Sequence, residues 1–568
     1  MRYLLVLGFF VTSFLASAQD MLFPINKDSI KAWYLKDKLT DGYAGISLNK
    51  AYQLLKNKKS TPIIVAVIDS GVDTTHEDLK AVLWHNLKEI PNNGIDDDGN
   101  GYVDDYYGWN FLGGKDGRNL EKASSEKARV YHMYKSIYEG KKIDEKTLSA
   151  DEKYRYNMWQ QAASEIEPNS EANAQLPMMQ RVRSTLIALD SIIRNEGGKN
   201  EYTSVDLEQM PMSTMEGKMA KTKFLNLMKM IGLGSDAKNT TVVSMINEEV
   251  DKMQDDAEAK AKPPVDMRAE IIKDNPTDIN DKFYGNSDVM GKGSMHGTHV
   301  SGIIGASRNN GIGIDGIADN VKIMMIRAVP DGDEYDKDIA LAIRYAVDNG
   351  AKVINMSFGK SFSPDKKWVD DAIKYAALKD VLIVHAAGND SKNIDSTNNF
   401  PSTTYLDGTI AKNVITVGAS SDPQISKSYT SYFSNYGKNG VDVFAPGSQI
   451  YSTLPGGNSY GFEDGTSMAS PVVAGLAGLL RSYFPKLTAE QIKQAINTSA
   501  TSLGNGVKTL KPNKDGLKEE VLLSNLCKAG GLLNAYGAVL VAEKLSGEST
   551  KKLTDSLPTS TFKNKNIN

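Results

Sequence analysis

Three short segments carry the residue types that nucleophilic hydrolysis requires. They read Val-Ile-Asp69-Ser-Gly-Val-Asp, His296-Gly-Thr-His299-Val-Ser-Gly and Gly465-Thr-Ser467-Met-Ala-Ser-Pro471. A serine hydroxyl is a weak nucleophile at neutral pH and needs a base within hydrogen-bond reach. Histidine can be that base because its pKa lies near the working pH, and a buried carboxylate keeps its ring in the required tautomer. We therefore predict that Ser467 attacks, His296 transfers the proton and Asp69 orients the imidazole.

The order Asp, His, Ser along the chain, carried by three extended motifs, resembles that of the subtilase family of serine endopeptidases. The resemblance covers about residues 45–112 and 290–545. It implies a subtilisin-like fold and an enzyme that hydrolyses peptide bonds. An apolar run, Val472–Leu480, follows Ser467 and predicts a helix whose N-terminus faces the developing negative charge.

Two further segments are similar to motifs of the family. The segment Ala386-Ala-Gly-Asn389-Asp implies that the Asn389 amide and the backbone N–H of Ser467 together hold the oxyanion. The segment Val353-Ile-Asn-Met-Ser-Phe-Gly359 implies a strand that binds the substrate. The resemblance thus implies five substrate-binding residues: Ser357, Phe358, Gly359, Gly388 and Tyr335.

Two alternatives to an endopeptidase belong to other functional classes. One is a catalytically inactive subtilase that binds peptides, and the other is an esterase with the same chemistry. The presence of all four polar groups, Asp69, His296, Asn389 and Ser467, argues against the first. An edge strand such as Ser357–Gly359 can bind an extended peptide by β-addition, which favours peptides over esters.

The hydrophobic pattern predicts an α/β fold with a doubly wound, mainly parallel sheet and helices on both faces. Residues 61–69 form a β-branched run that ends in Asp69, as expected of a buried parallel strand. Similar runs, with helical patterns between them, recur at Val321–Ala328, Ala351–Met356, Val381–Ala386 and Val414–Val417. Ligands of such sheets bind at the carboxyl ends of the strands, where Asp69 lies.

A helical insertion interrupts this pattern between residues 119 and 290. The segment holds 14 of the 21 methionines but only 7 of the 48 glycines. Two amphipathic stripes, one beginning at Val130 and one from Met179 to Ile193, predict helices that need a partner surface. We predict a cap that limits access to the cleft; an internal chaperone and a stability element remain alternatives.

The predicted organisation has six segments. They are a signal peptide at 1–18, an N-terminal segment at 19–60, the catalytic domain at 61–118 and 291–545, the insertion at 119–290, and a disordered tail at 546–568. The apolar run Tyr3–Leu15 before Ala-Ser-Ala18 is too short for a membrane span, so we expect export to the periplasm or the extracellular space. About 40 residues lie between the predicted signal peptide and the first strand, which we expect to be too few for the inhibitory prodomain usual in the family.

Composition limits the possible partners. The net charge of −4 gives no reason to expect nucleic acid, and we expect polypeptide substrates and no stable membrane anchor in the mature chain. The single cysteine, Cys527, excludes an intrachain disulfide. The oligomeric state is left open.

Two segments predict structural calcium. Asp96, Asp98 and Asn100 stand at positions 1, 3 and 5 of a calcium-loop pattern, with Asp104 close behind, but Tyr107 replaces the usual glutamate at position 12. An acidic surface turn is the alternative. The family resemblance implies a second site that uses Asp78 and Asn310.

Two weaker patterns surround the predicted active site. Four carboxyl groups flank Tyr335 and predict a subsite rim that favours basic substrate residues: Asp331, Asp333, Glu334 and Asp336. His299 lies three residues after His296, so a metal pair is conceivable, although a packed core histidine is the simpler interpretation.

Overall fold

The computed structural model describes residues 27–166, 170–231, 238–504, 506–514 and 518–547. Among them, the residues up to Glu126 and from Asp266 onward form one compact unit, the sheet unit, and Lys127–Val265 form a second, the helical unit. The predicted signal peptide and all but the first two residues of the predicted tail lie outside the described residues.

A seven-stranded sheet, in the order β2-β3-β1-β4-β5-β6-β7, organises the sheet unit, and each neighbouring pair is parallel. The strands are β1 (Ile63–Asp69), β2 (Gly108–Asn110), β3 (Val321–Arg327), β4 (Ala351–Met356), β5 (Leu382–Ala386), β6 (Val414–Ser420) and β7 (Val443–Pro446). Two short antiparallel pairs accompany it: β8 (Ile450–Leu454) with β9 (Ser459–Glu463), and β10 (Lys508–Leu510) with β11 (Glu520–Leu522).

The helices of both units follow the chain order. In the sheet unit they are α1 (Lys27–Ile30), α2 (Lys38–Asp41), α3 (Leu48–Leu55), α10 (Met267–Ile271), α11 (Met295–Gly305), α12 (Asp336–Asp348), α13 (Lys366–Leu378), α14 (Pro423–Ser426), α15 (Thr466–Tyr483), α16 (Ala489–Thr498) and α17 (Ala535–Leu545). In the helical unit they are α4 (Glu126–Tyr138), α5 (Ala150–Glu165), α6 (Ser170–Gly197), α7 (Ser204–Gln209), α8 (Met215–Ile231) and α9 (Asn239–Glu258).

The sheet is covered on both faces, as the sequence predicts. Side chains alternate along a strand, so Val65 and Val67 enter one core while Ala66 and Ile68 enter the other. The first core also contains α11, α15, α16 and α17, and the second contains α12 and α13. The predicted doubly wound α/β fold is confirmed. Within the described ranges, no helix has the length and apolar character needed to span a bilayer.

The central strand β1 lies next to the residues that are predicted to be catalytic. β1 lies between β3 and β4, and all three are parallel, so their carboxyl ends meet at one edge. Asp69 is the last residue of β1, His296 is the second residue of α11, and Ser467 is the second residue of α15. The predicted helix after Ser467 is therefore confirmed, and Ser467 lies in its first turn.

The helical unit has a core of its own. Leu186, Ile193, Phe224 and Val242 pack together with methionines between α6, α8 and α9. The stripe predicted from Val130 is only partly correct, because Met133 and Ile137 are each 49% exposed while Val130, Tyr134 and Tyr138 are buried. Tyr131, which the predicted stripe omits, is also buried, so the buried face of α4 is shifted relative to that stripe.

The helical unit is narrower than the predicted insertion of residues 119–290. Buried ion pairs explain why its flanks belong to the sheet unit. Before it, the Glu126 carboxylate lies 2.6 Å from Lys360 Nζ. After it, the Arg268 guanidinium lies 2.6 Å from Asp338 and 2.8 Å from Asp274. A buried charge needs its partner. The segment before the helical unit is therefore held at Lys360, and the segment after it is held at Asp338 on α12.

Candidate active site

Asp69 and His296 meet at the carboxyl end of the sheet. Asp69 is 1% exposed, and its Oδ1 lies 2.7 Å from His296 Nδ1. The same oxygen accepts the backbone N–H of Ser70 at 2.8 Å. Burial disfavours the protonated imidazole, but the charge and hydrogen bond of Asp69 outweigh it, and the pKa of His296 is raised. This contact fixes the tautomer that leaves Nε2 free to accept a proton.

The Ser467 side chain contacts Ser357, which directly follows β4. Its hydroxyl donates to the Ser357 carbonyl at 2.9 Å, and the Ser357 hydroxyl donates to the Ser467 carbonyl at 2.8 Å. The hydroxyl of Ser467 is therefore not donated to His296 in this structure. Such catalytic contacts are often made only when substrate is bound.

Two hydrogen-bond donors lie near one point beside Gly465. A Cβ built on Gly465 would lie 3.4 Å from the backbone N of Ser467 and 3.5 Å from Asn389 Nδ2. The Asn389 carbonyl oxygen accepts both the N–H and the hydroxyl of Thr466 at 2.9 Å, which holds the amide with its NH₂ group outward. The sequence analysis missed Thr466, although it stands directly before Ser467.

We expect Gly465→Ala to block the space between these two donors. The added methyl group meets no backbone closer than 3.4 Å, so the fold should be kept while the oxyanion position is filled. In subtilisin itself, loss of one oxyanion donor lowers kcat by about 10²–10³-fold, and we expect at least that loss here. Peptide hydrolysis measures the effect, with Gly293→Ala as the control because its methyl group meets no atom within 4 Å. Equal activity of both variants would contradict this assignment.

The predicted substrate-binding residues lie on three segments. Ser357, Phe358 and Gly359 follow β4, and Gly388 follows β5, whose last residues lie next to β4. Gly388 has a φ of +96°, and a Cβ there would lie 2.5 Å from Asn435, so the position requires glycine. Its N–H donates to Thr466 Oγ1 at 3.1 Å, which joins this segment to the start of α15. Tyr335 directly precedes α12, with the Arg268 guanidinium 4.6 Å from its ring centre.

Comparison with known families decides the identity of this arrangement. Residues 60–538 match the sequence profile of the subtilase family. The chain is a subtilase. It is 41% identical to the thermophilic serine proteinase of Bacillus sp. (strain AK1), over 42% of this chain and 53% of that protein. It is 39% identical to thermitase of Thermoactinomyces vulgaris, over 39% of this chain and 72% of that protein. It is 33% identical to the cell wall-associated protease of Bacillus subtilis (strain 168), over 55% of this chain and 29% of that protein. Two of these three relatives are thus matched over about half of their length or less.

The other histidines of this subtilase near the site are core residues. His299 is fully buried, and its Nε2 donates to the carbonyls of Ile450 and Gly461. Burial lowers its pKa to about 3, so it is neutral, and no metal-binding cluster found among the described residues contains it. His385 donates to the Phe358 carbonyl at 2.8 Å, and burial lowers its pKa to about 4. The core interpretation of His299 is therefore favoured over the metal pair.

The predicted acidic rim carries less charge than the sequence suggests. Asp336 is buried and lies 2.8 Å from Lys360 Nζ. Burial raises the pKa of Glu334 to about 8, with Lys360 opposing the shift, so this group is largely protonated at neutral pH. Two of the four carboxyl groups that were predicted to attract basic substrates, Glu334 and Asp336, are thus buried. The predicted acidic rim is reduced to Asp331 and Asp333.

The acidic loop of this subtilase collects three carboxylates, only two of which were predicted. Oxygens of Glu89, Asp96 and Asp98 lie within 4.8 Å of one another. Glu89 lies seven residues before Asp96, at a position where the loop pattern predicts no ligand. No ion pair with a cationic side chain is found for these three among the described residues. An all-oxygen set of this kind fits calcium.

The other predicted calcium ligands are bound differently. Asp104 accepts the N–H groups of Asn93 and Gly94, both at 2.9 Å, so it caps a turn and is not part of the cluster. The Asn100 amide donates to Asp105 at 3.0 Å. Asp78 and Asn310 do meet, but as a direct hydrogen bond of 2.6 Å, and the second Asp78 oxygen accepts the Ile314 N–H. Both Asp78 oxygens thus accept hydrogen bonds from the protein.

Proposed function

We propose that this subtilase is an exported serine endopeptidase that uses Asp69, His296 and Ser467, with Asn389 as an oxyanion donor. The observation that carries the proposal is the 2.7 Å contact between Asp69 and His296 at the carboxyl end of the central strand. The pair of donors that face one point beside Gly465 supports it further. Both features are what acyl transfer requires: an oriented base and preorganised charge stabilisation.

The reaction proceeds in two halves. His296 Nε2 takes the proton of Ser467 as its Oγ attacks the peptide carbonyl, and the imidazolium formed is stabilised by Asp69. The oxyanion accepts hydrogen bonds from Asn389 Nδ2 and from the backbone N–H of Ser467. His296 then returns the proton to the leaving amine, which leaves an acyl group on Ser467. Water, activated by His296, releases the acid and restores the hydroxyl.

Peptides are the proposed substrates because the segment Ser357–Gly359 extends β4 beside the nucleophile. A segment that continues a strand in this way can hydrogen-bond an extended peptide backbone. The purified protein should cleave an unfolded protein and lose this activity after treatment with a serine-directed reagent. A matched series of peptide amides and simple esters separates the candidates. Turnover of esters alone would favour an esterase, and binding of peptides without turnover would favour an inactive subtilase.

Export to the periplasm or the extracellular space is part of the proposal. It rests on the basic start, the apolar run Tyr3–Leu15 and the small residues before Gln19. N-terminal sequencing of the exported protein should begin at Gln19. A mature protein that keeps Met1 would contradict the predicted cleavage.

A structural calcium ion is proposed at Glu89, Asp96 and Asp98. Its ligands would hold together a loop in which like charges otherwise repel. An ion present at 100 times its Kd stabilises the folded state by about 2.7 kcal/mol, so chelation should lower the Tm by several degrees. Asp96→Asn should abolish this response, whereas Asp104→Asn, which changes a turn cap, should keep it. An unchanged Tm after chelation, together with metal analysis that finds no calcium, would refute the site.

The helical insertion remains a predicted cap, with a stability element as its rival. The test replaces the helical unit, residues 127–265, by a short linker and uses thermal unfolding to verify that the remaining protein folds. A cap predicts faster cleavage of large folded substrates and little change on short peptides. Unchanged rates on both would leave the stability role.

A further inference from the structure

A buried lysine directly follows the predicted substrate strand. The Lys360 side chain is 2% exposed and continues the backbone from Gly359. Its Nζ lies 2.6 Å from the Glu126 carboxylate, 2.8 Å from the Asp336 carboxylate and 2.8 Å from the Glu334 carbonyl. An ammonium group has three donors, and these three acceptors come from two other parts of the chain.

Those acceptors belong to the segment around Tyr335. Glu334 and Asp336 are its two neighbours, and the second Asp336 oxygen accepts the N–H of Asp365 at 2.8 Å. Glu126 is tied to the same segment, because its N–H donates to Asp333 at 2.6 Å. Lys360 thus joins residues 357–359 to residues 333–336 through buried charges.

The backbone of Lys360 cannot shift freely to accommodate another side chain. Its N–H donates to the Phe400 carbonyl at 3.1 Å, and its carbonyl accepts the Phe400 N–H at 2.9 Å. On the other side, Ser357 exchanges two hydrogen bonds with Ser467. A continuous set of contacts therefore runs from the predicted nucleophile, through Ser357–Lys360, to the segment that carries Tyr335.

We infer that Lys360 is a positioning residue that sets the separation between residues 333–336 and 357–359, and that it serves peptides long enough to contact both segments. The inference rests on the proposed function. A peptide held between two backbone edges gains hydrogen bonds from each, and this remote binding orients the scissile bond. The binding of a peptide that contacts only one segment does not depend on the distance between the two segments.

Loss of the ammonium group would leave Glu126 and Asp336 as neighbouring buried carboxylates without this shared cation. Because Lys360 no longer joins the two segments, we expect residues 333–336 to shift relative to residues 357–359. Misplacement of a bound group by about 1 Å costs up to about 10²-fold in rate. The cost falls on long substrates and spares short ones, which distinguishes positioning from a general loss of folded protein.

The test compares kcat/KM for Lys360→Met on two peptides that share the scissile bond. The short one carries a single residue on each side, and the long one carries four. We expect a loss of about 10- to 100-fold on the long peptide and of less than about threefold on the short one. Lys366→Met is the matched control, because Lys366 is also buried, at 2.5 Å from Asp370, but lies on α13. It should affect both peptides equally.

A second variant protects the test against misfolding. Lys360→Met combined with Glu126→Gln and Asp336→Asn also removes the two carboxylates that faced the ammonium group, so its Tm should recover while the long-peptide defect persists. Equal losses on both peptides, in this variant and in the control, would overturn the inference alone. A wild-type protein that cleaves neither peptide would instead overturn the proposed function.

Discussion

Replacing Ser467 by alanine is expected to reduce peptide hydrolysis by about 10⁶-fold, which is the loss known for subtilisin itself when this serine is removed. The substitution removes the only atom that can form the acyl intermediate. It should leave the fold intact, because the hydroxyl makes a single hydrogen bond, to the Ser357 carbonyl. The loss of one such bond costs about 1 kcal/mol. The measurements are kcat/KM on a peptide and the Tm of the same preparation.

Ser482→Ala is the matched control for this prediction. Ser482 lies on the same helix, α15, and is fully buried, but it is near the opposite end from Ser467. Its replacement should keep full activity. Proteolysis that persists in Ser467→Ala at the wild-type rate would refute the assignment of the nucleophile.

Asp69→Asn is expected to lower kcat by about 10⁴-fold, the order of the loss that subtilisin shows when its aspartate is removed. The asparagine amide can occupy the same space, but it can present NH₂ to His296 Nδ1 and so favour the wrong tautomer. The variant also shifts the pH profile. Burial lowers the pKa of His296, while the charge and hydrogen bond of Asp69 raise it by more. Without that charge the pKa must fall.

The sign of the pH effect follows from the role of the imidazole. His296 accepts a proton only when it is neutral, so wild-type kcat/KM is lost as the pH falls through its raised pKa. In Asp69→Asn this loss should move to lower pH. Glu463→Gln is the control: Glu463 also raises the pKa of His296, but as the weakest of the causes. It should shift the profile in the same direction by less and keep the tautomer. An acid limb that stays in place in Asp69→Asn would contradict the account.

The sequence predicts the elements whose signals are local. The run at residues 61–69 is β-branched and ends in an acid, which is enough to place Asp69 at the end of a buried strand. Five of the seven strands of the sheet were predicted in this way. β2 and β7 were missed, because Gly108–Asn110 and Val443–Pro446 are too short to show a period. Catalytic roles for Asp69, His296 and Ser467 could be predicted because each residue lies in an extended motif.

The contacts that depend on tertiary packing could not be predicted. Glu126 and Lys360 are 234 positions apart, and nothing in either segment indicates that the two charges are buried together. The same is true of Glu89, which joins Asp96 and Asp98 only after the loop has folded. The acidic residues around Tyr335 look like a charged surface in sequence, whereas Asp336 is neutralised by Lys360. The sequence shows which residues can carry a charge. Whether such a charge is exposed to solvent or paired in the interior depends on the tertiary structure.

Reaction with a fluorophosphonate, followed by mapping of the modified residue, tests the central claim most directly. The reagent phosphonylates a serine only where a base activates it and donors stabilise the oxyanion, so it reports on His296, Asn389 and Ser467 at once. The account predicts one equivalent of label, on Ser467, absent in Ser467→Ala and strongly slowed in His296→Ala. A catalytically active preparation that is labelled at another residue, or not at all, would contradict it.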